Sequence, residues 1–298
     1  MRVLLLALCL LPAACGDSVD LVAAIGGSGF EAIGGQPGMG GERPAAAPDY
    51  VVLSVSGRNF EFSLFCPPEC NVAYIDEEGS AAEAVILDLI GRGHTVASET
   101  YIAALSNYDD DGDGAFDERL GFLQLVSDLE WVHENWIDGF TNPTKIVLIC
   151  HSHGCVWGHI ATSVVPDITI DVLISMDGVC TLWEFDHEDQ IRSYYDSVGG
   201  NPFPWDISAP CFHWDVLGIG RFDTEDVAFD NVAFNIEVRA NAELIAQDEA
   251  ENFRLDGTRD GIVDFHSGDD DHLEVLDPNR GSMQFVLAQL ALVTPTVP

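Results

Sequence analysis

The sequence has very little positive charge. Its 298 residues include 12 lysines and arginines against 50 aspartates and glutamates, which gives a formal net charge of −38. A chain this acidic offers no basic patch to a polyanion, so binding to nucleic acid or to an anionic membrane surface is excluded. The acidic balance indicates a well-solvated surface that attracts divalent cations.

The sequence also lacks an apolar run long enough to cross a membrane. Residues 1–15 combine an arginine at position 2, a short apolar stretch and small residues before Cys15, which is typical of a secretory signal peptide. The Cys15-Gly16 junction resembles a bacterial lipoprotein cleavage site, so plain cleavage and a lipid anchor at Cys15 are the two alternatives. Either predicts export, to the periplasm, the outer surface or the medium.

No Cys-x-x-Cys pair occurs, and this disfavours a structural zinc site. Six cysteines follow Cys15, and the oxidising compartment that export implies would allow them to pair. Cys66 and Cys70 are predicted to close a small local loop. Cys180 and Cys211 are predicted to close the segment between them.

The composition divides the chain into three parts. Glycine, alanine and proline dominate residues 16–49, which predicts a flexible linker. Residues 50–298 form one folded domain, expected to be monomeric, with an insertion at about 180–230. The aromatic residues of this insertion would form either a lid with an acyl pocket or simply part of the core. They are Trp183, Phe185, Phe203, Trp205, Phe212 and Trp214.

Apolar runs alternate with helical periods through the folded domain. The runs at 51–55, 145–149 and 171–176 are typical of buried strands, and helical spacing marks 82–90, 122–136 and 156–165. Uniformly apolar strands alternating with helices indicate a sheet that is covered on both faces. The predicted fold class is therefore α/β, with a mainly parallel sheet.

The segment Cys150-His151-Ser152-His153-Gly154 stands between a buried strand and a helix. A sharp turn there would expose the Ser152 hydroxyl and direct the helix N-terminus at a developing oxyanion. Here the sequence resembles the α/β-hydrolase superfamily, over roughly residues 50–293, with Cys150 replacing the first glycine of Gly-x-Ser-x-Gly. The resemblance implies a lipase-like or esterase-like serine hydrolase that cleaves small-molecule or lipid esters without a catalytic cofactor.

The same resemblance implies the chain order serine, acid, histidine. His272, just before the terminal helix, is the predicted general base, ahead of His266. Asp177, at the end of a buried strand, is the predicted acid, ahead of Asp260, with Asp248 a third candidate. The sequence leaves the choice of acid open, because an aspartate at a strand end is often only a turn former.

The oxyanion hole is predicted to use two backbone N–H groups. One belongs to His153, and the other to the loop after the first strand, near Gly57 and Arg58. His151 and His153 flank the nucleophile and are expected to point away from it and to shape the turn.

A run of aspartates predicts a calcium loop. Asp109, Asp111, Asp113 and Asp117 place oxygen ligands on alternate residues around a glycine, as in the first nine positions of an EF-hand loop. Leu120 stands where an EF-hand has its bidentate glutamate, so a complete EF-hand is not expected. The predicted Ca²⁺ is structural.

Two other functions fit parts of the sequence. A metal-dependent hydrolase would use His151, His153 and His159 as ligands, but its Asp-His continuation is absent. A non-catalytic, calcium-stabilised surface lipoprotein would keep the hydrolase scaffold only for binding. The serine hydrolase is favoured because a serine, a histidine and several acids occur in the expected order.

Overall fold

The computed structural model describes residues 41–58, 73–108, 119–180, 183–198, 200, 205–206, 209–211, 213–214, 221–241 and 250–297. The predicted signal peptide of residues 1–15, with Cys15, lies outside the described residues. So do most of the predicted linker, the Cys66–Cys70 loop and Asp248.

The fold is built around one six-stranded parallel sheet. The strands among the described residues are β1 Tyr50–Val55, β2 Val96–Tyr101, β3 Lys145–Ser152, β4 Ile170–Gly178, β5 His213–Trp214, β6 Arg221–Phe222, β7 Val232–Arg239 and β8 Ile262–His266. The sheet order is β2-β1-β3-β4-β7-β8, and all neighbouring strands in it are parallel. The short strands β5 and β6 form a separate antiparallel pair.

Both faces of the sheet are buried. Successive residues of a strand point to opposite faces, so each strand contributes side chains to two cores. In β1, Val51, Leu53 and Val55 join one core cluster, whereas Tyr50 and Val52 join the other. An apolar residue at nearly every position is what burial on two faces requires. The prediction of a parallel sheet between two helical layers is confirmed.

In the described part of the chain, five α-helices cover the sheet: α1 Ala81–Gly91, α2 Phe122–Val132, α3 His153–Val164, α4 Trp183–Val198 and α5 Gly281–Val293. Helices α2, α3 and α4 pack on one face, and α1 and α5 pack on the other. A π-helical turn at His133–Ile137 continues α2, and 3₁₀ turns occur at Thr224–Asp226 and Glu274–Leu276. Within the described residues, no helix is both long and apolar enough to span a bilayer.

The segment between β4 and β7 contains α4 and the β5–β6 pair. Trp183 is buried in the core shared with α2 and α3, and Trp205 is buried against Phe222. These two tryptophans are therefore core residues. A mobile lid stays a prediction, because the side chains of Phe185, Phe203, Phe212 and Trp214 are outside the described part of the chain. The predicted Cys180–Cys211 disulfide is present and ties the start of this segment to its middle.

The parallel sheet brings three predicted residues to one edge. Ser152 ends β3, Asp177 lies at the end of β4, and His272 follows β8. Because the carboxyl ends of parallel strands share an edge, side chains distant in sequence meet there.

Candidate active site

The turn at Ser152 is tight and strained. Ser152 has φ 55° and ψ −135°, in a region that side-chain-bearing residues rarely adopt. Two glycines make the turn possible. A Cβ on Gly154 would lie 2.4 Å from the Val55 carbonyl oxygen, and a Cβ on Gly57 would lie 2.4 Å from the Ser152 Cβ. The chain therefore has no space for a side chain at either position.

A disulfide that was not predicted from the sequence bridges this turn. Cys150, in β3, is bonded to Cys155, in the first turn of α3, with their Cα atoms 4.7 Å apart. Both cysteines are fully buried. Cys150 thus replaces the usual glycine with a residue that fastens the strand to the helix across Ser152. The signal was visible as two cysteines placed two residues before and three residues after the serine.

We expect the double variant Cys150→Ala/Cys155→Ala to lose about 2 kcal/mol of unfolding free energy, because the bond restricts a short loop in the unfolded chain. The matched variant Cys180→Ala/Cys211→Ala opens a longer loop and should lose about 4 kcal/mol on the same chain-entropy reasoning. Urea unfolding under non-reducing conditions measures both. An unchanged urea midpoint for the first variant would contradict a bond across the turn.

Asp177 and His272 form a hydrogen-bonded pair. His272 Nδ1 lies 2.5 Å from Asp177 Oδ2, and the Asp177 carboxylate is fully buried. The other oxygen of Asp177 accepts a hydrogen bond of 2.7 Å from the Ala240 backbone N–H. Asp177 has φ 45°, and it and Ser152 are the two non-glycine residues with positive φ among those described. The carboxylate thus holds the His272 ring with Nδ1 as the donor.

The Ser152 Oγ and His272 Nε2 atoms are both buried. Among the described residues, neither atom has a hydrogen-bond partner. An unpartnered buried hydroxyl or imidazole nitrogen costs free energy, and such groups concentrate where function requires them.

The sheet order and the positions of these residues identify the architecture. The strained Ser152 ends β3, the Asp177 carboxylate lies at the end of the neighbouring strand β4, and His272 follows the edge strand β8. The fold is that of the α/β-hydrolases. Ser152 occupies the strand-to-helix turn at which the α/β-hydrolase fold places its nucleophile elbow.

Several solved α/β structures are similar to the chain. Dienelactone hydrolase from Anabaena variabilis is 13% identical to this chain, with a TM-score of 0.39. The alignment covers 83% of this chain and 86% of the dienelactone hydrolase chain. An esterase of Pyrococcus furiosus has 12% identity, coverage of 82% and 80%, and a TM-score of 0.41. An esterase of Butyrivibrio proteoclasticus with bound ferulic acid has 14% identity, coverage of 85% and 90%, and a TM-score of 0.39. No protein-family model and no curated protein matches the sequence.

The alternative acid and base lie elsewhere. Asp260 precedes β8 and therefore lies at the amino edge of the sheet, where its backbone carbonyl accepts a hydrogen bond from Arg254. The length of β8 separates it from His272, about 15 Å at roughly 3.3 Å per residue. Asp260 therefore does not reach His272, and of the two candidate acids it is Asp177 that contacts the His272 ring. His266 ends β8 with an exposed side chain.

One of the two residues of the predicted oxyanion loop is engaged elsewhere. The Gly57 N–H donates to the Tyr74 hydroxyl at 3.0 Å. His153 begins α3, and the first N–H groups of a helix have no partner within the helix. His187 of α4 lies close to both Arg58 and His153. Burial, followed by the electrostatic effects of His153 and Arg58, lowers the pKa of His187 to about 3.

The three histidines of the metal-hydrolase alternative do not converge. Both ring nitrogens of His159 are hydrogen-bonded, Nδ1 to the Val227 carbonyl and Nε2 to the Ser175 hydroxyl. His151 is likewise bonded at both nitrogens. These rings offer no lone pair to an ion, because a ring nitrogen facing a carbonyl must carry the proton and the other accepts.

One group of potential ligands occurs among the described residues. Atoms of Cys180, Asp223 and Glu225 lie within 4.8 Å of one another. The Cys180 sulfur is bonded to Cys211, so it offers no thiolate, and the group makes a poor metal site. The predicted calcium ligands Asp109, Asp111, Asp113 and Asp117 lie outside the described residues.

Proposed function

We propose that the chain is a serine hydrolase that cleaves carboxylic esters through an acyl-enzyme. The observation that carries the proposal is the Asp177–His272 pair at the same sheet edge as the strained Ser152, with Ser152 Oγ and His272 Nε2 both buried and unbonded among the described residues. A serine hydroxyl becomes a useful nucleophile when a histidine takes its proton and a carboxylate holds that histidine.

The first half of the reaction forms the acyl-enzyme. Ser152 Oγ attacks the acyl carbon while its proton moves to His272 Nε2, and the carbonyl π electrons move onto oxygen. The N–H groups of His153 and Arg58 stabilise this oxyanion. When the carbonyl re-forms, the bond to the alcohol breaks, and His272 gives its proton to the departing alkoxide oxygen.

The second half regenerates the enzyme. A water oxygen attacks the acyl carbon while His272 Nε2 takes a proton from that water, and a second tetrahedral oxyanion forms. When it collapses, the bond between the acyl carbon and Ser152 Oγ breaks and the carboxylic acid is released. The proton on His272 returns to Ser152 Oγ. Asp177 stays ionised throughout and stabilises the imidazolium that forms twice in each cycle.

The substrate is proposed to be an uncharged ester. The net charge of −38 repels anionic substrates at long range. Leu273, next to His272, is 60% exposed. An exposed apolar side chain beside the proposed base favours aromatic or longer acyl chains over acetate.

A panel of p-nitrophenyl esters tests the proposal, with p-nitrophenyl phosphate as the control of equal leaving group. We expect ester turnover, no phosphate turnover, and a burst of p-nitrophenol equal to the enzyme concentration when deacylation is slow. kcat/KM should rise from acetate to longer or aromatic acyl groups. Preference for the shortest ester would sink the substrate class, and no ester turnover at all would favour the non-catalytic binding scaffold.

Export and the calcium ion stay predictions from the sequence. The two ends of the aspartate segment lie side by side, since the Tyr108 N–H donates to the Arg119 carbonyl at 2.9 Å. We propose a structural Ca²⁺ held by Asp109, Asp111, Asp113 and Asp117, with no step of the reaction passing through it.

A further inference from the structure

His151, immediately before the nucleophile, makes hydrogen bonds that turn formation does not need. Its ring is fully buried, with Nδ1 2.5 Å from the Tyr74 hydroxyl and Nε2 2.7 Å from the backbone carbonyl oxygen of His272. A carbonyl can only accept, so Nε2 carries the proton. Nδ1 therefore accepts from the Tyr74 hydroxyl.

These bonds extend into a chain that crosses the site. The Tyr74 hydroxyl accepts the Gly57 N–H at 3.0 Å while it donates to His151. This series of hydrogen bonds thus runs from the loop after β1, through the segment before α1 and the end of β3, to the loop after β8. It joins the predicted oxyanion loop, the nucleophile turn and the loop of the general base.

His151 also packs against the ring of His272. Their ring centroids are 4.5 Å apart, with an angle of 34° between the planes. Burial, and then the nearby charge of His272, hold the pKa of His151 well below its usual value. His151 therefore stays neutral when His272 becomes protonated, so it adds no second positive charge beside the imidazolium.

We infer that His151 is a positioning residue for the general base, an inference that rests on the proposed serine-hydrolase function. Asp177 holds the His272 ring at Nδ1, and His151 holds the His272 peptide at its carbonyl oxygen. Together these two contacts set the direction of Nε2 relative to Ser152. Misplacement of a catalytic group by about 1 Å costs roughly 10²-fold in rate.

The base loop has a second anchor that does not involve His151. The Asp270 carboxylate accepts hydrogen bonds from the Ser282 hydroxyl at 2.6 Å and from the Ser282 N–H at 3.2 Å. Loss of the His151 bond should therefore leave the loop folded while loosening the imidazole. The expected effect falls on kcat rather than on stability or substrate affinity.

Two substitutions that differ by one methylene test the inference. The amide nitrogen of His151→Gln reaches the position of Nε2 and keeps a donor to His272, whereas His151→Asn reaches only the position of Nδ1. We expect His151→Asn to lower kcat at least about tenfold with KM unchanged, and His151→Gln to stay within about threefold of wild type. Thermal midpoints of both variants check folding.

Tyr74→Phe is an independent variant, because it removes only one hydroxyl. It should lower kcat several-fold at constant KM. If neither His151 variant folds, Tyr74→Phe alone tests the inference, and an unchanged kcat would then overturn it. Equal kcat values for folded His151→Asn and His151→Gln, or a change in KM alone, would also overturn it. A wild type that hydrolyses no ester and reacts with no fluorophosphonate would refute the proposed function instead.

Discussion

Replacing Asp177 by asparagine is expected to lower kcat by about 10⁴-fold with little change in KM. The asparagine keeps the size of the side chain but removes the charge that stabilises the His272 imidazolium. It also offers an amide that favours the wrong imidazole tautomer. Steady-state kinetics on a p-nitrophenyl ester measure the effect.

Asp260→Asn is the matched control for this prediction. It makes the same chemical change at the opposite edge of the sheet, so kcat should stay within about twofold of wild type, as for a surface substitution that touches no site residue. A small and equal loss in both variants would show that neither aspartate is the acid of the triad.

Replacing Ser152 by alanine is expected to lower kcat by about 10⁶-fold. The alanine removes the hydroxyl oxygen that the proposed mechanism acylates, and residual turnover would depend on water and the oxyanion donors alone. The double variant Ser152→Ala/His272→Ala should be no slower than Ser152→Ala, because the two residues act as one unit. Additive losses would contradict a shared proton transfer.

Ser163→Ala provides the control serine. Ser163 lies on the same helix that begins at the nucleophile turn, is 6% exposed and donates to the Ile160 carbonyl. Its removal touches the same helix without touching the site, so kcat should not change. A large loss there would mean that Ser152→Ala acts by disturbing α3.

The parts of the fold that follow from local pattern were predictable. Apolar runs at β1, β3 and β4 indicated a doubly covered sheet, and the strand-turn-helix pattern around Ser152 indicated the sharp turn found there. Each of these signals lies within a few residues of the feature that it predicts. Helix α4 was not predicted, because many aromatic and acidic side chains obscure its helical period.

The parts of the site that depend on distant residues were not predictable. Sequence order favoured Asp177 over Asp260 only slightly, and a firm choice required knowing at which end of a strand each one lies. The Tyr74–His151 bond joins residues 77 positions apart, and His151–His272 joins residues 121 apart. No local pattern encodes such contacts, since tertiary packing alone brings them together.

The most direct test of the central claim is covalent labelling of the serine. The purified protein is treated with a fluorophosphonate, and intact mass followed by peptide mapping locates the adduct. An activated Ser152 predicts one adduct per chain, on Ser152, with none in Ser152→Ala and much slower labelling in Asp177→Asn. No adduct on the folded wild type, or an adduct that persists in Ser152→Ala, would contradict the assignment of Ser152 as the nucleophile.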